Sequence, residues 1–166
     1  PRNFATIRVS VSTTGAEGNS YSYYGSISDD GDNVVFMSLA TTLIPNDTNN
    51  NWHKYVRQLS TGTTTRMSVS TTGVQSNGSC YFATISGDGR MVAFYGTANN
   101  LVLQDTNGYE DCFVRDRDTD NDTSFDEIGA VNTVRVTEVD STEPGGDSGA
   151  PSVSGDGAFV AFESVA

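Results

Sequence analysis

The chain repeats itself at a fixed interval, and this constrains its fold more than any other feature. Residues 8–61 lie over residues 66–119 at an offset of 58 without a gap, and 23 of the 54 aligned positions are identical. Arg8-Val9-Ser10-Val11-Ser12-Thr13-Thr14-Gly15 returns as Arg66-Met67-Ser68-Val69-Ser70-Thr71-Thr72-Gly73. A third copy opens at Arg135-Val136-Thr137 and reaches Ser154-Gly155-Asp156-Gly157-Ala158-Phe159-Val160-Ala161-Phe162. One such unit cannot bury its apolar face alone, so neighbouring copies must stack to build a core. Residues 1–166 therefore read as a single repeat domain, with units at about 7–65 and 66–134 and a partial unit at 135–166.

In the second unit, Arg66-Met67-Ser68-Val69-Ser70 alternates apolar and polar residues, the period of a half-buried strand, and Thr71-Thr72-Gly73 ends it with turn chemistry. Tyr81-Phe82-Ala83-Thr84-Ile85-Ser86 predicts a second strand and Met91-Val92-Ala93-Phe94-Tyr95 its hairpin partner. Between them, the Asp-Gly of Gly87-Asp88-Gly89-Arg90 supplies the positive φ of a tight turn. A long loop from Gly96 to Glu110 leads to a further strand at Asp111-Cys112-Phe113-Val114-Arg115-Asp116. No segment carries a 3.6-residue apolar period, which predicts very little helix.

Three of these motifs recur in order: Ser86-Gly87-Asp88-Gly89-Arg90-Met91-Val92-Ala93-Phe94, Phe113-Val114-Arg115-Asp116, and the Thr6-Ile7-Arg8-Val9-Ser10 type. Together they resemble the blade repeat of TolB-like, WD-related β-propellers. The resemblance implies an all-β fold of antiparallel four-stranded blades, with the Ser-x-Asp-Gly turn joining the first two strands of each. One outer strand, two full blades and two strands of another make eleven strands, or about two and a half blades, where propellers close with 4–8. One chain does not close such a ring. The expectation is a homo-oligomer or part of a longer propeller, since an open strand edge invites pairing.

Charge narrows the partners. The 21 acidic and 9 basic side chains give a net charge of −12, and Lys54 is the only lysine. Nucleic acid and anionic membrane surfaces need a basic footprint, so neither is an expected partner. No stretch approaches the roughly 20 apolar residues of a membrane span. No signal-peptide pattern opens the sequence, and its start at Pro1 suggests a trimmed chain or an excised segment. Scarce lysine with abundant Asn, Thr and Gly resembles secreted or surface bacterial proteins, which suggests an extracellular, periplasmic or cell-surface location. Cys80 and Cys112 fall in different elements and read as packed free thiols, although spacing alone leaves a disulfide open.

Two acidic loops are candidate Ca²⁺ sites. Asp105, Asn107 and Asp111 space oxygen side chains at i, i+2 and i+6, and a hard cation takes 6–8 oxygens. In the first unit His53 replaces Asp111. The second loop lies in an insertion of about 11 residues, because Arg66 to Arg135 spans 69 rather than 58. It carries Asp118, Asp120 and Asp122, with Asp126 or Glu127 downstream, and resembles the first half of an EF-hand or thrombospondin-type loop. Such loops place Gly at the sixth position, where this chain has Thr123, and a β-branched residue disfavours the required positive φ. An Asx-turn loop and a solvated acidic hairpin extension are the structural alternatives.

Gly146-Asp147-Ser148-Gly149-Ala150-Pro151 resembles the nucleophile segment of trypsin-like proteases, but His53, the only histidine, lacks that family's sequence setting. The segment also falls where the repeat predicts a turn. Tyr21, Tyr23, Tyr24, Tyr81 and Phe82 recur in register, which favours packing between blades over a sugar-stacking surface. Trp52 is unmatched in the repeats and, with His53 beside it, is the best candidate for an exposed ligand contact. No carboxylate pair is singled out by an apolar setting. The function expected is a non-catalytic binding or scaffold module for a protein or glycan partner, calcium-stabilised and self-associating. A polysaccharide-active hydrolase or lectin using acidic rim loops is the alternative, as is a purely structural part of a larger secreted or surface propeller.

Overall fold

A computed structural model describes residues 5–138 and 142–165 of the chain. The first sheet comprises β1 (Ser22–Ile27), β2 (Asn33–Ser38), β3 (His53–Gln58) and β4 (Thr63–Arg66). The second repeats it with β5 (Cys80–Ile85), β6 (Met91–Gly96), β7 (Asp111–Asp116) and β8 (Asn132–Arg135), and β9 (Ser148–Val153) with β10 (Val160–Ser164) begins a third. Every pairing is antiparallel and runs in chain order, and the sheets do not close on one another. The expected all-β class of four-stranded blades is what the structure shows.

The Ser-x-Asp-Gly turn has a clear chemical basis. Ser28, Ser86 and Ser154 each donate a hydroxyl to the aspartate two residues on, at 2.5 Å. Each hydroxyl oxygen also accepts the N–H that opens the returning chain, at Asn33, Met91 and Phe159. Gly31, Gly89 and Gly157 take φ of 75, 79 and 71°, a left-handed conformation that side chains resist. The turns then join across sheets: the Asp29 N–H donates to the Gly87 carbonyl, and the Gly87 N–H donates to the Gly155 carbonyl. This ladder draws the leading strands β1, β5 and β9 together along one side.

The inner strands of the two four-stranded sheets are buried on both faces. On β2 and β3, Val35 and Val56 point into the cluster shared with the second sheet, which includes Ile85, Val92, Phe94 and Phe113. Phe36 and Tyr55 alternate to the opposite face, where they pack with Ala40 and Leu43. The period of two thus survives inside near-continuous apolar runs, and each fully buried side chain of this size contributes about 1.5–3 kcal/mol.

The strand expected at Arg66–Ser70 is displaced. β4 ends at Arg66, and beyond it only a lone bridge joins Val69 to Gln75. Met67 and Ser68 are both fully buried, so the apolar–polar alternation marks two buried environments rather than inside and outside. The equivalent stretch in the first unit holds only the bridge Val11 to Glu17, so the described residues form ten strands instead of eleven. Cys80 and Cys112 are both free and buried. Burial raises their thiols to about 11 and about 12 respectively, which makes them poor nucleophiles. No helix among the described residues is long and apolar enough to cross a membrane.

Candidate functional site

The Asp-x-Asn loops sit at the junctions between sheets and act as latches. In the first, the Asn49 and Asn51 side-chain amides donate to the carbonyls of Ser76 and Asn77 on the approach to β5. In the second, the Asn107 amide donates to the Pro144 carbonyl on the approach to β9 and to Asp111 Oδ2. Beneath each latch lies a buried polar socket with an arginine in it, Arg66 beside His53 in the first and Arg135 in the second. Arg135 Nη1 lies 3.4 Å from Asp105, 3.2 Å from Asp111 and 2.9 Å from Glu143. The positive charge facing Asp105 and Asp111 is therefore a guanidinium, and these two candidate metal ligands are engaged by it. Burial and then Asp111 raise Asp105 to about 6, against the pull of Arg135. Glu143 accepts from the Thr106 hydroxyl and N–H and from Arg135, which lowers it to about 2.

His53 occupies the first socket and is not a surface contact, since it is fully buried. Its Nε2 lies 2.9 Å from Asn49 Oδ1, an acceptor, so Nε2 carries the proton. Nδ1 accepts from the hydroxyls of Ser68 and Ser76 at 2.9 and 3.1 Å. Burial and then Arg66 lower its pKa to about 4, with Asp47 opposing, so the ring is neutral at physiological pH. Ser148, in the protease-like segment, is buried and bonds its hydroxyl to Ser164. It has no contact with His53.

The insertion folds back on Arg117. This fully buried guanidinium donates to Asn33 Oδ1 at 2.9 Å, to the Gly89 carbonyl at 2.7 Å and to Asp126 at 2.8 Å. The Phe125 ring covers it, 4.4 Å from ring centroid to Cζ. Asp126 is thereby committed to Arg117, and Glu127 is exposed. The ligand atoms of Asp118, Asp120 and Asp122 lie within 4.8 Å of one another. Asp118 accepts the N–H groups of Asp122 and Thr123, and its side chain, followed by burial, raises the pKa of Asp120. Thr123 adopts φ of 73°, the left-handed conformation that its branching disfavours.

A different set of residues lines an open groove on the leading-strand side. Each leading strand carries a bulge there, and the bulged residues Tyr24, Phe82 and Ala150 have φ of 52, 21 and 48°. The kinks turn aromatic side chains outward, and the packing expected between blades is seen where Tyr24 meets Phe82. Tyr21, Tyr23, Tyr24 and Phe82 are 66, 49, 62 and 41% exposed. Tyr23 contacts Trp52 at 5.8 Å between centroids, and Tyr24 contacts Phe82 at 6.2 Å across the gap between sheets. A groove of about 540 Å³ lies among Tyr23, Tyr24, Trp52, Tyr81, Phe82 and Tyr95.

Tyr95 and Ala150 also line a second hollow of about 370 Å³, which includes Glu110, Asp147 and Glu163. Burial and then Asp147 raise the pKa of Glu110. Trp52 was legible in the sequence, whereas Tyr95 and the three carboxylates were missed. Comparing equivalent positions between units would have found Glu110, which stands where the first unit has Trp52.

No protein-family model and no curated protein matches the sequence. Among solved structures, the chain is similar to TolB from Acinetobacter baumannii, with a TM-score of 0.46 and 23% identity. The alignment covers 90% of this chain and 28% of that one, so the chain spans less than a third of that protein's length.

Proposed function

We propose that this chain is a non-catalytic binding module whose partner docks on the leading-strand face. One observation carries this reading: successive leading strands use positive-φ bulges to expose aromatic rings around a continuous groove. Bulges cost ladder hydrogen bonds and exposed rings cost solubility, and folds tolerate both chiefly at binding surfaces. The neutral, fully hydrogen-bonded His53 and the hydroxyl-paired Ser148 are poor material for nucleophilic catalysis. Trp52 is the chain's single tryptophan and reports on the groove, so screening glycan and peptide libraries by its fluorescence tests the reading. Silence to every member of both libraries overturns it, and polysaccharide hydrolysis would favour the enzyme alternative.

A second reading concerns the insertion: Asp118, Asp120 and Asp122 bind Ca²⁺ and order the loop. The positive φ of Thr123 favours it, because this is where calcium loops of this spacing bend. Calorimetry with Ca²⁺ against a chelator tests it, and identical melting in both excludes it. β10 pairs with β9 alone among the described residues, so its edge is a place where another strand would add, from a second copy or a longer propeller. Solution mass across a wide concentration range distinguishes these.

A further inference from the structure

We propose that the groove receives an arginine or lysine side chain from an extended basic segment of a protein partner. The aliphatic stem would lie on the aromatic rings and the charge would sit at Glu110, Asp147 and Glu163. The inference rests on the leading-strand face being the binding surface, and it specifies the ligand.

The argument comes from comparing equivalent positions. Tyr23 pairs with Met37, Tyr81 with Tyr95, and Gly149 with Glu163, so these three pairs hold the same place in successive sheets. The Trp52 carbonyl accepts the Cys80 N–H, and the Glu110 carbonyl accepts the Ser148 N–H, so Trp52 and Glu110 are equivalent too. By the third sheet, the aromatic and apolar residues at these places have given way to small residues and carboxylates. Met37 and Tyr95 become Glu163, Trp52 becomes Glu110, and the bulged Tyr24 and Phe82 become Ala150. The result is an aromatic floor that ends in an acidic hollow, with the Tyr95 ring packed over Gly149 at the boundary between them.

A ligand that satisfies both halves has an apolar body and a positive tip. A guanidinium or ammonium gains from ring faces within about 6 Å, and carboxylates beyond them fix its direction. No basic side chain lines either hollow among the described residues, and Lys54 is buried. The net charge of −12 draws a basic segment from a distance and repels an acidic one. A neutral glycan would find hydrogen-bond partners in the hydroxyls of Tyr23, Tyr24, Tyr81 and Tyr95, but it would bring no positive charge to the three carboxylates.

The test is titration of the whole chain with acetyl-Gly-Arg-Gly-Arg-Gly-amide, followed by Trp52 fluorescence and aromatic NMR shifts. The matched peptide with citrulline in place of arginine and a set of neutral oligosaccharides are run in parallel. We expect saturable binding by the arginine peptide, about tenfold weaker binding of the citrulline peptide, and a comparable loss in Glu110→Gln. Raising the salt should weaken the arginine peptide alone. Equal binding of both peptides, unchanged in Glu110→Gln, overturns the cationic ligand but leaves the groove as the docking face. A response only to an oligosaccharide does the same. A concentration-dependent Trp52 change without ligand assigns the groove to a second copy and overturns the proposal. No response to any probe removes both the proposal and the reading beneath it.

Discussion

Arg135 and Asp111 form a buried ion pair, with Nη1 3.2 Å from Oδ2 and both side chains sealed from water. In the first sheet the same place is held by Arg66 and His53, and His53 brings no charge. Arg66 Nε and Nη1 and Asp47 Oδ1 are left buried without hydrogen-bond partners. Restoring the repeat's carboxylate should repair this defect. We expect His53→Asp to stabilise the chain at pH 7 by about 1–2 kcal/mol, and Asp111→His to destabilise it by about 2–4 kcal/mol. Urea unfolding of the two variants checks both signs.

Lys54 is the chain's second buried irregularity. It lies fully inside, near Cys80, with no hydrogen-bond partner for Nζ, and burial lowers its pKa to about 7, with the Cys80 thiolate form opposing. The unfolded lysine holds its proton up to about 10.5. Between pH 7 and 10.5 the unfolded chain thus binds more protons than the folded one, and stability rises with pH across that window. Below pH 7 the full cost of a buried ammonium is present. Lys54→Met should be more stable than wild type by roughly 3 kcal/mol at pH 6, with the gain fading as pH approaches 10.5. A gain that stays constant from pH 6 to 10 would refute the assignment.

The contrast between legible and illegible features has a physical basis. β5 and β6 were readable because short apolar runs joined by the Asp88-Gly89 turn have one compact solution, and β7 because its own apolar run follows a polar loop. Arg66-Met67-Ser68-Val69-Ser70 misled because its polar residues are buried too, with Ser68 bonded to His53. Periodicity separates apolar from polar side chains, which here does not separate inside from outside. The aromatic groove was illegible for a related reason: recurrence in register fits a packed face and an exposed face equally. Only the bulges at Tyr24 and Phe82, a backbone property, decide between them. Likewise Asp105 and Asp111 read as metal ligands because Arg135, 24 residues beyond Asp111, is brought to them only by the fold.

Arg117 ties the insertion to both sheets, through Asn33 in the first and Gly89 in the second. Removing the guanidinium leaves Asp126 without its ion pair in a mostly buried setting. Arg117→Met should therefore cost about 3–4 kcal/mol, and cleavage within residues 118–128 should accelerate beyond what global unfolding explains. Phe125→Ala removes only the ring above the charge and should cost about 0.5–1 kcal/mol. Limited proteolysis beside denaturant melts separates the local from the global effect.

Thr123 permits a test in which stability and metal binding give separate answers. At φ of 73° its branched side chain is strained, and glycine would relieve that strain. Thr123→Gly should raise the melting temperature in chelator if the strain term of about 1 kcal/mol exceeds the added freedom of glycine in the unfolded chain. If the loop holds Ca²⁺, the same change should also strengthen binding, because the sixth position no longer resists the bend that aims Asp118, Asp120 and Asp122 at one point. Asp120→Asn, which removes one fully exposed carboxylate, should then abolish the calcium-dependent increment and leave the chelator melt unchanged. Melting curves of wild type and both variants, with and without Ca²⁺, give the two effects independently. A Thr123→Gly gain that is the same in calcium and chelator would assign the strained residue to loop geometry alone.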